Sequence, residues 1–145
     1  HAPQTDSALD KLFEDYGDEA LVLVKYFALQ AMRTDGDALA RVEGLTQHPA
    51  FTATNPNRVR SVVGAFAQTV GPFHAADGSG YRFLTGWVSQ LDEKNPQLAA
   101  RLLTLISEYR RFDEPRQNAA REALKAVQAE AKSADVADIV RRLLG

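Results

Sequence analysis

Apolar residues recur at helical spacing along nearly the whole chain, and residues typical of helix ends stand between the apolar runs. Asp, Asn and Ser occupy N-cap positions, and Pro occupies first turns or follows helix ends. No segment alternates in the way a strand would. The pattern predicts about eight helices with short connections: residues 5–16, 19–33, 37–47, 55 to the loop at 69, 81–92, 95–109, 113–131 and 133–144.

Two of the predicted helix starts resemble each other. Asn55-Pro56-Asn57 and Asn95-Pro96-Gln97 both combine an Asn cap with a first-turn Pro, about 40 residues apart. That spacing is the period of armadillo and HEAT repeats, whose units are pairs of helices. We therefore expect an all-α fold, a right-handed α-α superhelix of about four antiparallel helical hairpins. A closed helical bundle is the alternative.

The second predicted helix, residues 19–33, carries apolar residues on more than one face, so we expect it to be buried on two sides. Two features of other segments complete the pattern. Residues 69–80 form a Gly-rich loop, and the last helix has a stripe that should be buried. That stripe consists of Val136, Ile139, Val140, Leu143 and Leu144.

Composition excludes several classes of protein. The 145 residues include 17 basic and 19 acidic ones, a net charge of −2, which argues against a nucleic-acid partner. The absence of cysteine excludes disulfides, thiolate metal sites and a cysteine nucleophile. The longest apolar stretch is interrupted by Lys25 and Gln30 and is too short to span a membrane. These features are compatible with the cytoplasm, and we expect no membrane partner.

Catalytic motifs are absent from the sequence. The histidines, His1, His48 and His74, lack the H-E-x-x-H spacing of a hydrolytic zinc site. His74 and Asp77 would supply only two metal ligands, so we expect surface or capping roles for them. Gly78-Ser79-Gly80 lacks the preceding strand of a nucleophile elbow, so capping of the next helix by Ser79 or Asp77 is expected. We predict no catalytic, metal or cofactor site in this chain.

Polar residues near the two Asn-Pro starts are the candidate binding groups. Arg58 and Arg60 lie in the first turns of one helix, while Gln97 and Arg101 are four residues apart on one face of the other. A guanidinium beside an amide can bind a carboxylate or a peptide carbonyl. The alternative is that these are exposed helical residues or members of an interhelical salt bridge.

Several blocks of sequence, in the same order, resemble the C-terminal domain of bacterial aminopeptidase N. The resemblance covers nearly the whole chain and is loose in the first few residues and the last two helices. The blocks are Val24-Lys25-Tyr26-Phe27-Ala28-Leu29-Gln30-Ala31, His48-Pro49-Ala50-Phe51-Thr52, Asn55-Pro56-Asn57-Arg58-Val59-Arg60-Ser61, Gly64-Ala65-Phe66, Phe73-His74-Ala75, Asp77-Gly78-Ser79-Gly80-Tyr81, Asn95-Pro96-Gln97 with Arg101, and Arg111-Phe112-Asp113.

The resemblance implies a role within a larger enzyme. The parent would be a zinc-dependent aminopeptidase that removes N-terminal amino acids from peptides, with its zinc in a separate thermolysin-like catalytic domain. The domain resembled closes the catalytic chamber and would be inactive alone. Gln97 and Arg101 match residues that reach the catalytic cleft beyond the scissile bond. Arg60 is a further candidate for lining the chamber.

The organisation of the chain is expected from its first residue, which is His1 and not Met, and its partners are implied by the resemblance. Residues 1–4 are expected to be a tag remnant or linker, and residues 5–145 a single all-α domain. The expected partners are the catalytic domain of the same polypeptide and peptide substrates, with self-association through the exposed interdomain face. A stand-alone helical-repeat module that binds peptides or proteins in its groove is the alternative. A small independent enzyme finds no support in the placement of His and Ser.

Overall fold

The computed structural model describes residues 20–49, 51–52 and 54–145, and the described part contains seven helices and no strand. The all-α class is therefore confirmed, as are seven of the predicted helices. The predicted helix at residues 5–16 lies outside the described residues. The helices are α1 (Ala20–Ala31), α2 (Ala38–Thr46), α3 (56–67), α4 (Ser79–Leu91), α5 (96–111), α6 (Glu114–Glu130) and α7 (Ala134–Leu144).

Five helices begin at the N-caps that the sequence indicated. In each case a side-chain oxygen of the cap accepts a hydrogen bond from a backbone N–H of the first turn, at 3.0 to 3.4 Å. These bonds satisfy donors that a helix start otherwise leaves unpaired. The caps are Asp37, Asn55, Asn95, Asp113 and Ser133.

Two helices change their winding partway along, which the apolar pattern did not predict. Helix α3 is π-helical over Arg60–Gly64, and α5 is a 3-10 helix over Thr104–Arg111. A hydroxyl bonds back to the preceding turn at each change. Ser61 Oγ donates to the Arg58 carbonyl at 2.7 Å and Thr104 Oγ1 to the Arg101 carbonyl at 2.6 Å. Such bonds compete with the regular backbone ladder.

The chain divides into two compact units, His1–Phe66 and Ala67–Gly145. The expectation of a single domain over residues 5–145 stays a prediction.

In the first unit α1 packs against α2 and α3. Phe27 is fully buried there, with His48 edge-on at 5.5 Å and Phe51 at 6.2 Å between ring centroids. Met32 is 51% exposed just past the end of α1, so the prediction that this helix buries both sides is wrong at that end.

Charged groups fix the turn between α1 and α2. The guanidinium of Arg33 pairs with the Asp35 carboxylate at 2.7 Å. Arg41, on α2, donates to the backbone carbonyls of Arg33 and Asp35. Arg41 therefore supplies the hydrogen-bond donors that these turn carbonyls need and that the short Thr34-Asp35-Gly36 connection could not supply itself.

In the second unit α4 packs against α5 and α6, and α7 packs against the same two helices. The last helix buries Val136 and Val140 completely, whereas Ile139, Leu143 and Leu144 remain partly exposed. The predicted stripe of five is therefore buried only in part. The other core side chains of this unit that are larger than alanine are Phe73, Tyr81, Leu84, Val88, Leu91, Leu98, Leu102, Leu103, Ile106, Tyr109, Leu124 and Val127.

A buried carboxylate holds the start of α7. Asp92 follows the last residue of α4 and is only 2% exposed. It accepts hydrogen bonds from the Lys132 and Ser133 backbone N–H groups, at 2.6 and 3.3 Å, and from the Ser133 hydroxyl. Burying a carboxylate is favourable only when such donors replace its water. The bonds therefore fix the turn between α6 and α7 on the end of α4.

The other end of α7 is held by α5. The Tyr109 hydroxyl and Arg110 Nη2 donate to the carbonyl of Leu143, at 2.6 and 2.7 Å. Arg121 of α6 contacts the next carbonyl, that of Leu144, at 3.4 Å. These donors satisfy carbonyls that lack partners inside the helix. Helix α7 is thus tied at both ends within the second unit.

We expect Asp92→Ala to lower the free energy of unfolding by about 2 to 3 kcal/mol, because it leaves buried N–H donors unpaired and removes the tie to α7. The measurement is urea unfolding followed by circular dichroism. The neighbouring Glu93→Ala removes an ion pair with Lys132 whose side chains are 74% and 64% exposed. It should change the stability by less than about 0.5 kcal/mol. Equal effects of the two variants would contradict the role given to Asp92.

Two glycines of α4 should respond oppositely to alanine. A Cβ at Gly80 would lie 2.2 Å from the Phe73 carbonyl oxygen, whereas one at Gly86 would meet nothing within 4 Å. Gly80→Ala should cost about 1 to 3 kcal/mol, because backbone must move. Gly86→Ala should add about 0.5 to 1 kcal/mol, because alanine favours the helix. Thermal unfolding of both variants measures the difference, and destabilisation by Gly86→Ala would contradict the open space seen there.

Candidate functional site

An open groove of about 380 Å³ lies between α5 and α7 in the second unit. Its lining combines charged and amide side chains with small and apolar ones. The structure brings the two predicted residues Gln97 and Arg101 together in this groove. The lining residues are Gln97, Ala100, Arg101 and Thr104 from α5, and Asp135, Asp138, Ile139 and Arg142 from α7.

The start of α5 determines where Gln97 and Arg101 lie. Asn95 and Pro96 set the first turn, and the apolar residues Leu98 and Leu102 are buried on the other side of the helix. Because a helix repeats every 3.6 residues, Gln97 and Arg101 stand one turn apart on the exposed side. The face predicted from their spacing is confirmed, whereas their contact with substrate stays a prediction.

The α7 wall was missed by the sequence analysis. Asp135, Asp138 and Arg142 follow Ser133, the N-cap, on the side of α7 that faces the groove. Their spacing of three and four residues marks one helical face. Nothing in the sequence showed that this face would lie opposite α5, since that depends on the ties at the two ends of α7.

The interhelical salt bridge considered for Arg101 is not formed with any described residue. Asp138, across the groove, pairs instead with Arg141 of its own helix at 2.8 Å. Arg101 and Gln97 are both exposed. The groove therefore presents a cationic group and an amide that have no internal partner within the described part of the chain, as a site for an external acceptor requires.

Arg60, the third candidate, belongs to the first unit. It is exposed, and its Nη2 atom donates to Asn57 Oδ1 at 2.5 Å. This bond lies within one turn of α3. Arg58, two residues before it, is half-buried, and its position alone does not indicate a role. The role of Arg60 in lining a chamber stays a prediction.

The second unit holds another cavity, of about 460 Å³, beside His74 and the distal half of α5. His74 is 6% exposed and stacks on Phe112 at 4.2 Å, so the prediction of a surface role for it is wrong. Its Nδ1 atom lies 2.6 Å from the Tyr81 hydroxyl, and its carbonyl accepts from Arg116 Nε at 2.6 Å. The imidazole is thus packed in an aromatic cluster. Phe112 and Arg116 are far from His74 in the sequence, so their spacing could not predict the cluster.

The pKa values in this cluster follow from burial. Desolvation lowers the pKa of His74, and the Arg116 charge adds to that effect while Glu108 opposes it. Burial raises the pKa of Tyr81 to about 12. Both groups are therefore held in their neutral forms near neutral pH.

Asp77 serves the start of α4 from one residue before the N-cap, which is Gly78 and not Asp77 or Ser79 as the sequence indicated. Its Oδ1 atom accepts hydrogen bonds from the Ser79 N–H at 2.9 Å and the Ser79 hydroxyl at 2.7 Å, beside the start of α4. The bond from the hydroxyl lowers the pKa of the Asp77 carboxyl. Among the described residues no three His, Cys, Asp or Glu side chains come close enough to hold a metal ion. The same part of the chain contains no helix long and apolar enough to cross a membrane.

The chain matches one family model and several curated proteins. The model is described as DUF3458_C, a domain of unknown function made of ARM repeats, and it matches residues 1–145. Aminopeptidase N of Escherichia coli K12 is 44% identical over 121 residues, 80% of this chain. The proteins of the same name from Haemophilus influenzae and Caulobacter vibrioides are 44% and 43% identical, over 83% and 74% of the chain.

A solved structure shows the same fold. Aminopeptidase A of Legionella pneumophila, determined in complex with aspartic acid, superposes with a TM-score of 0.91 over 97% of this chain at 29% identity. The chain spans only 14% of the E. coli and H. influenzae relatives and 17% of the Legionella protein. The expected resemblance to bacterial aminopeptidase N is confirmed, as is the armadillo-type helical class.

We expect the stability of the chain to fall as the pH drops below about 6.5, the ordinary histidine pKa. Because burial lowers the pKa of His74, the unfolded chain binds a proton there before the folded chain does. The stabilisation is complete above the unfolded pKa and is lost as the pH falls towards the folded value. Urea unfolding at several pH values between about 7.5 and 5 measures this dependence.

His74→Gln is the variant that isolates the effect. It removes the titrating group, so the slope of stability against pH in that window should flatten. His1 and His48 remain in both proteins, so only the difference between wild type and variant is interpreted. An unchanged slope in His74→Gln would contradict the assignment to this residue.

Proposed function

Because the chain belongs to the DUF3458_C family of ARM-repeat domains, we propose that it is the C-terminal helical domain of a zinc-dependent aminopeptidase. In this proposal it closes the catalytic chamber and contributes contacts to the peptide beyond the scissile bond. The parent enzyme removes N-terminal amino acids from peptides in the cytoplasm. The relatives that match most of this chain are aminopeptidases of which it spans a small part.

The observation that carries the proposal is the placement of Gln97 and Arg101. Both are exposed on one turn of α5, and both line the groove against α7. A guanidinium binds carboxylates and carbonyls with directed hydrogen bonds, and an amide adds both a donor and an acceptor. Such groups orient a peptide next to a reacting centre without taking part in bond breaking.

Zinc belongs elsewhere in the parent under this proposal. The described residues do not fit a zinc site, since no suitable cluster of ligands exists among them. The ion would polarise the scissile carbonyl and activate water when held by the separate catalytic domain. The present chain should therefore be inactive by itself and act through its catalytic-domain partner. Without that partner its interdomain surface is exposed, and self-association follows as an expectation.

A stand-alone helical-repeat module is the second candidate function. The groove between α5 and α7 could hold a peptide in such a protein too. The block-wise match to aminopeptidases at 44% identity favours the first candidate. Kinetics separates them: under the first candidate a change in the groove alters peptide hydrolysis by the longer parent polypeptide, whereas a stand-alone module takes part in no such hydrolysis.

We expect Arg101→Ala in that polypeptide to raise KM for a tripeptide about tenfold, the effect of losing roughly 1.4 kcal/mol of substrate binding. Hydrolysis of an alanyl arylamide should change little, because that substrate has no peptide residue after the scissile bond. Steady-state kinetics with both substrates measures the difference.

Arg111→Ala is the matched control, since Arg111 lies on the same helix, is 82% exposed and pairs with Glu108 outside the groove. It should leave both substrates unaffected. If Arg101→Ala lowers arylamide and tripeptide hydrolysis equally, the proposed contact beyond the scissile bond is wrong. The isolated 145-residue chain should release no arylamine.

A further inference from the structure

The cavity beside His74 in the second unit is not used by the proposed function. Its volume of about 460 Å³ is in the range of sites that hold small ligands. Apolar side chains from the segment before His74 and from the end of α5 form much of the lining. These are Ala67, Val70, Leu105 and Phe112. The cavity is therefore large enough, and apolar enough, to hold an organic molecule.

His74 supplies a polar atom to this cavity that has no partner. Its Nδ1 atom is bound to the Tyr81 hydroxyl, whereas its Nε2 atom makes no hydrogen bond to a described residue. The residue is only 6% exposed, and Nε2 nevertheless keeps some accessible surface. Because His74 lines the cavity, this surface faces the cavity. A buried polar atom normally has a partner, and this one is open to a ligand.

The hydrogen bond between His74 and Tyr81 determines which imidazole nitrogen carries the proton. Tyr81 is fully buried, and its hydroxyl has no other hydrogen-bond partner in the described part of the chain. Burial raises the pKa of Tyr81 to about 12, so the hydroxyl keeps its proton. The hydroxyl therefore donates to Nδ1, which leaves the proton of the neutral imidazole on Nε2. The cavity thus receives a hydrogen-bond donor.

The charges around the cavity compensate one another. Arg111 pairs with Glu108 at 3.0 Å, and Arg116, the other cation near His74, pairs with Asp113 at 2.8 Å. Glu108 repels an anion that approaches the imidazole, and the Nε2–H group repels a cation. An uncharged acceptor meets neither repulsion and loses less hydration on entering an apolar cavity. The surroundings therefore favour a neutral ligand with an oxygen acceptor.

We propose that this cavity is a second ligand site, which binds an uncharged apolar molecule through one carbonyl oxygen. The oxygen accepts a hydrogen bond from His74 Nε2–H, and the apolar part of the ligand lies against Leu105 and Phe112. A free small amide and an apolar residue inside a peptide both carry this chemistry. Neither Gln97 nor Arg101 lines the cavity, so binding there does not depend on the proposed function.

Three compounds of similar shape test the proposal in the 145-residue chain at pH 7.5, about one unit above the ordinary histidine pKa. They are benzamide, benzoate and benzylammonium, which are neutral, anionic and cationic. Titration is followed by the NMR shifts of the backbone amides of residues 67–70 and 104–112. Benzamide should bind about tenfold more tightly than either ion, because only the ions lose strong hydration.

N-acetyl-leucine methylamide, which resembles an apolar residue inside a peptide, is the second neutral compound. Binding of either neutral compound supports the proposal, and the tighter of the two identifies the source of the carbonyl as a free small molecule or a peptide. Binding of benzoate as tight as that of both neutral compounds would overturn it, as would the absence of binding by both.

Ser107→Trp tests the location of the site. Ser107 is exposed on α5 and lines the cavity, so an indole there should fill the space and weaken benzamide binding about tenfold. The matched control is Gln90→Trp, because Gln90 is exposed on α4 and does not line the cavity. It should keep the wild-type affinity. An equal effect of the two variants would place the binding elsewhere and overturn the proposal.

The donor is tested by comparing Tyr81→Phe with the double variant Tyr81→Phe/His74→Phe, which leaves neither the hydroxyl nor the imidazole unpaired. The double variant should bind benzamide about fivefold more weakly than Tyr81→Phe, the effect of losing one hydrogen bond. Equal affinities would contradict a role for His74. The ¹⁵N NMR spectrum of the wild-type imidazole should show the proton on Nε2, and a proton on Nδ1 instead would overturn the proposal.

Discussion

The second unit depends on the buried carboxylate of Asp92. It stands at the end of α4 and binds the backbone at the junction of α6 and α7, forty residues further along the chain. A carboxylate at 2% exposure would be costly if its oxygens lacked donors, and here three donors surround them. Because the backbone N–H donors of Lys132 and Ser133 reach its oxygens in this arrangement, the interaction fixes the position of the start of α7. Apolar contacts from Val136 and Val140 tolerate small slides of the helix, whereas these hydrogen bonds do not.

The end of α5 supplies the complementary constraint. Its 3-10 portion carries Tyr109, which is fully buried and reaches the last turn of α7, and Arg110 reaches the same carbonyl from the surface. With both ends of α7 fixed, the exposed face of α5 has a wall opposite it. The groove is thus a consequence of hydrogen bonds made outside it. Arg101 on its α5 side makes no contact with a described residue that holds the two helices together, whereas Asp138 on its α7 side is paired with Arg141.

The sequence was sufficient to predict the features that depend on contacts between residues a few positions apart. The caps Asp37, Asn55, Asn95, Asp113 and Ser133 each satisfy a helix start by a contact within three residues, so their pattern is visible in one dimension. The shared face of Gln97 and Arg101 is equally local. Contacts over longer separations were not visible. His74 looked like a loop residue because its partners Tyr81, Phe112 and Arg116 converge on it from three segments. The 3-10 winding of α5 depends on the Thr104 back-bond and on packing, which apolar spacing does not encode.

The same distinction explains why Arg142 escaped notice while Arg101 did not. In sequence, Arg141 and Arg142 form one basic pair at a helix end, where cations favour the helix dipole and ordinarily need no further explanation. The fold divides the pair, because Arg141 turns back to Asp138 and Arg142 lines the groove with Arg101. Both cations favour the helix dipole, so the dipole does not distinguish them. Which of the two arginines lines the groove is therefore set by the position of α7 against α5, and not by their place at the helix end.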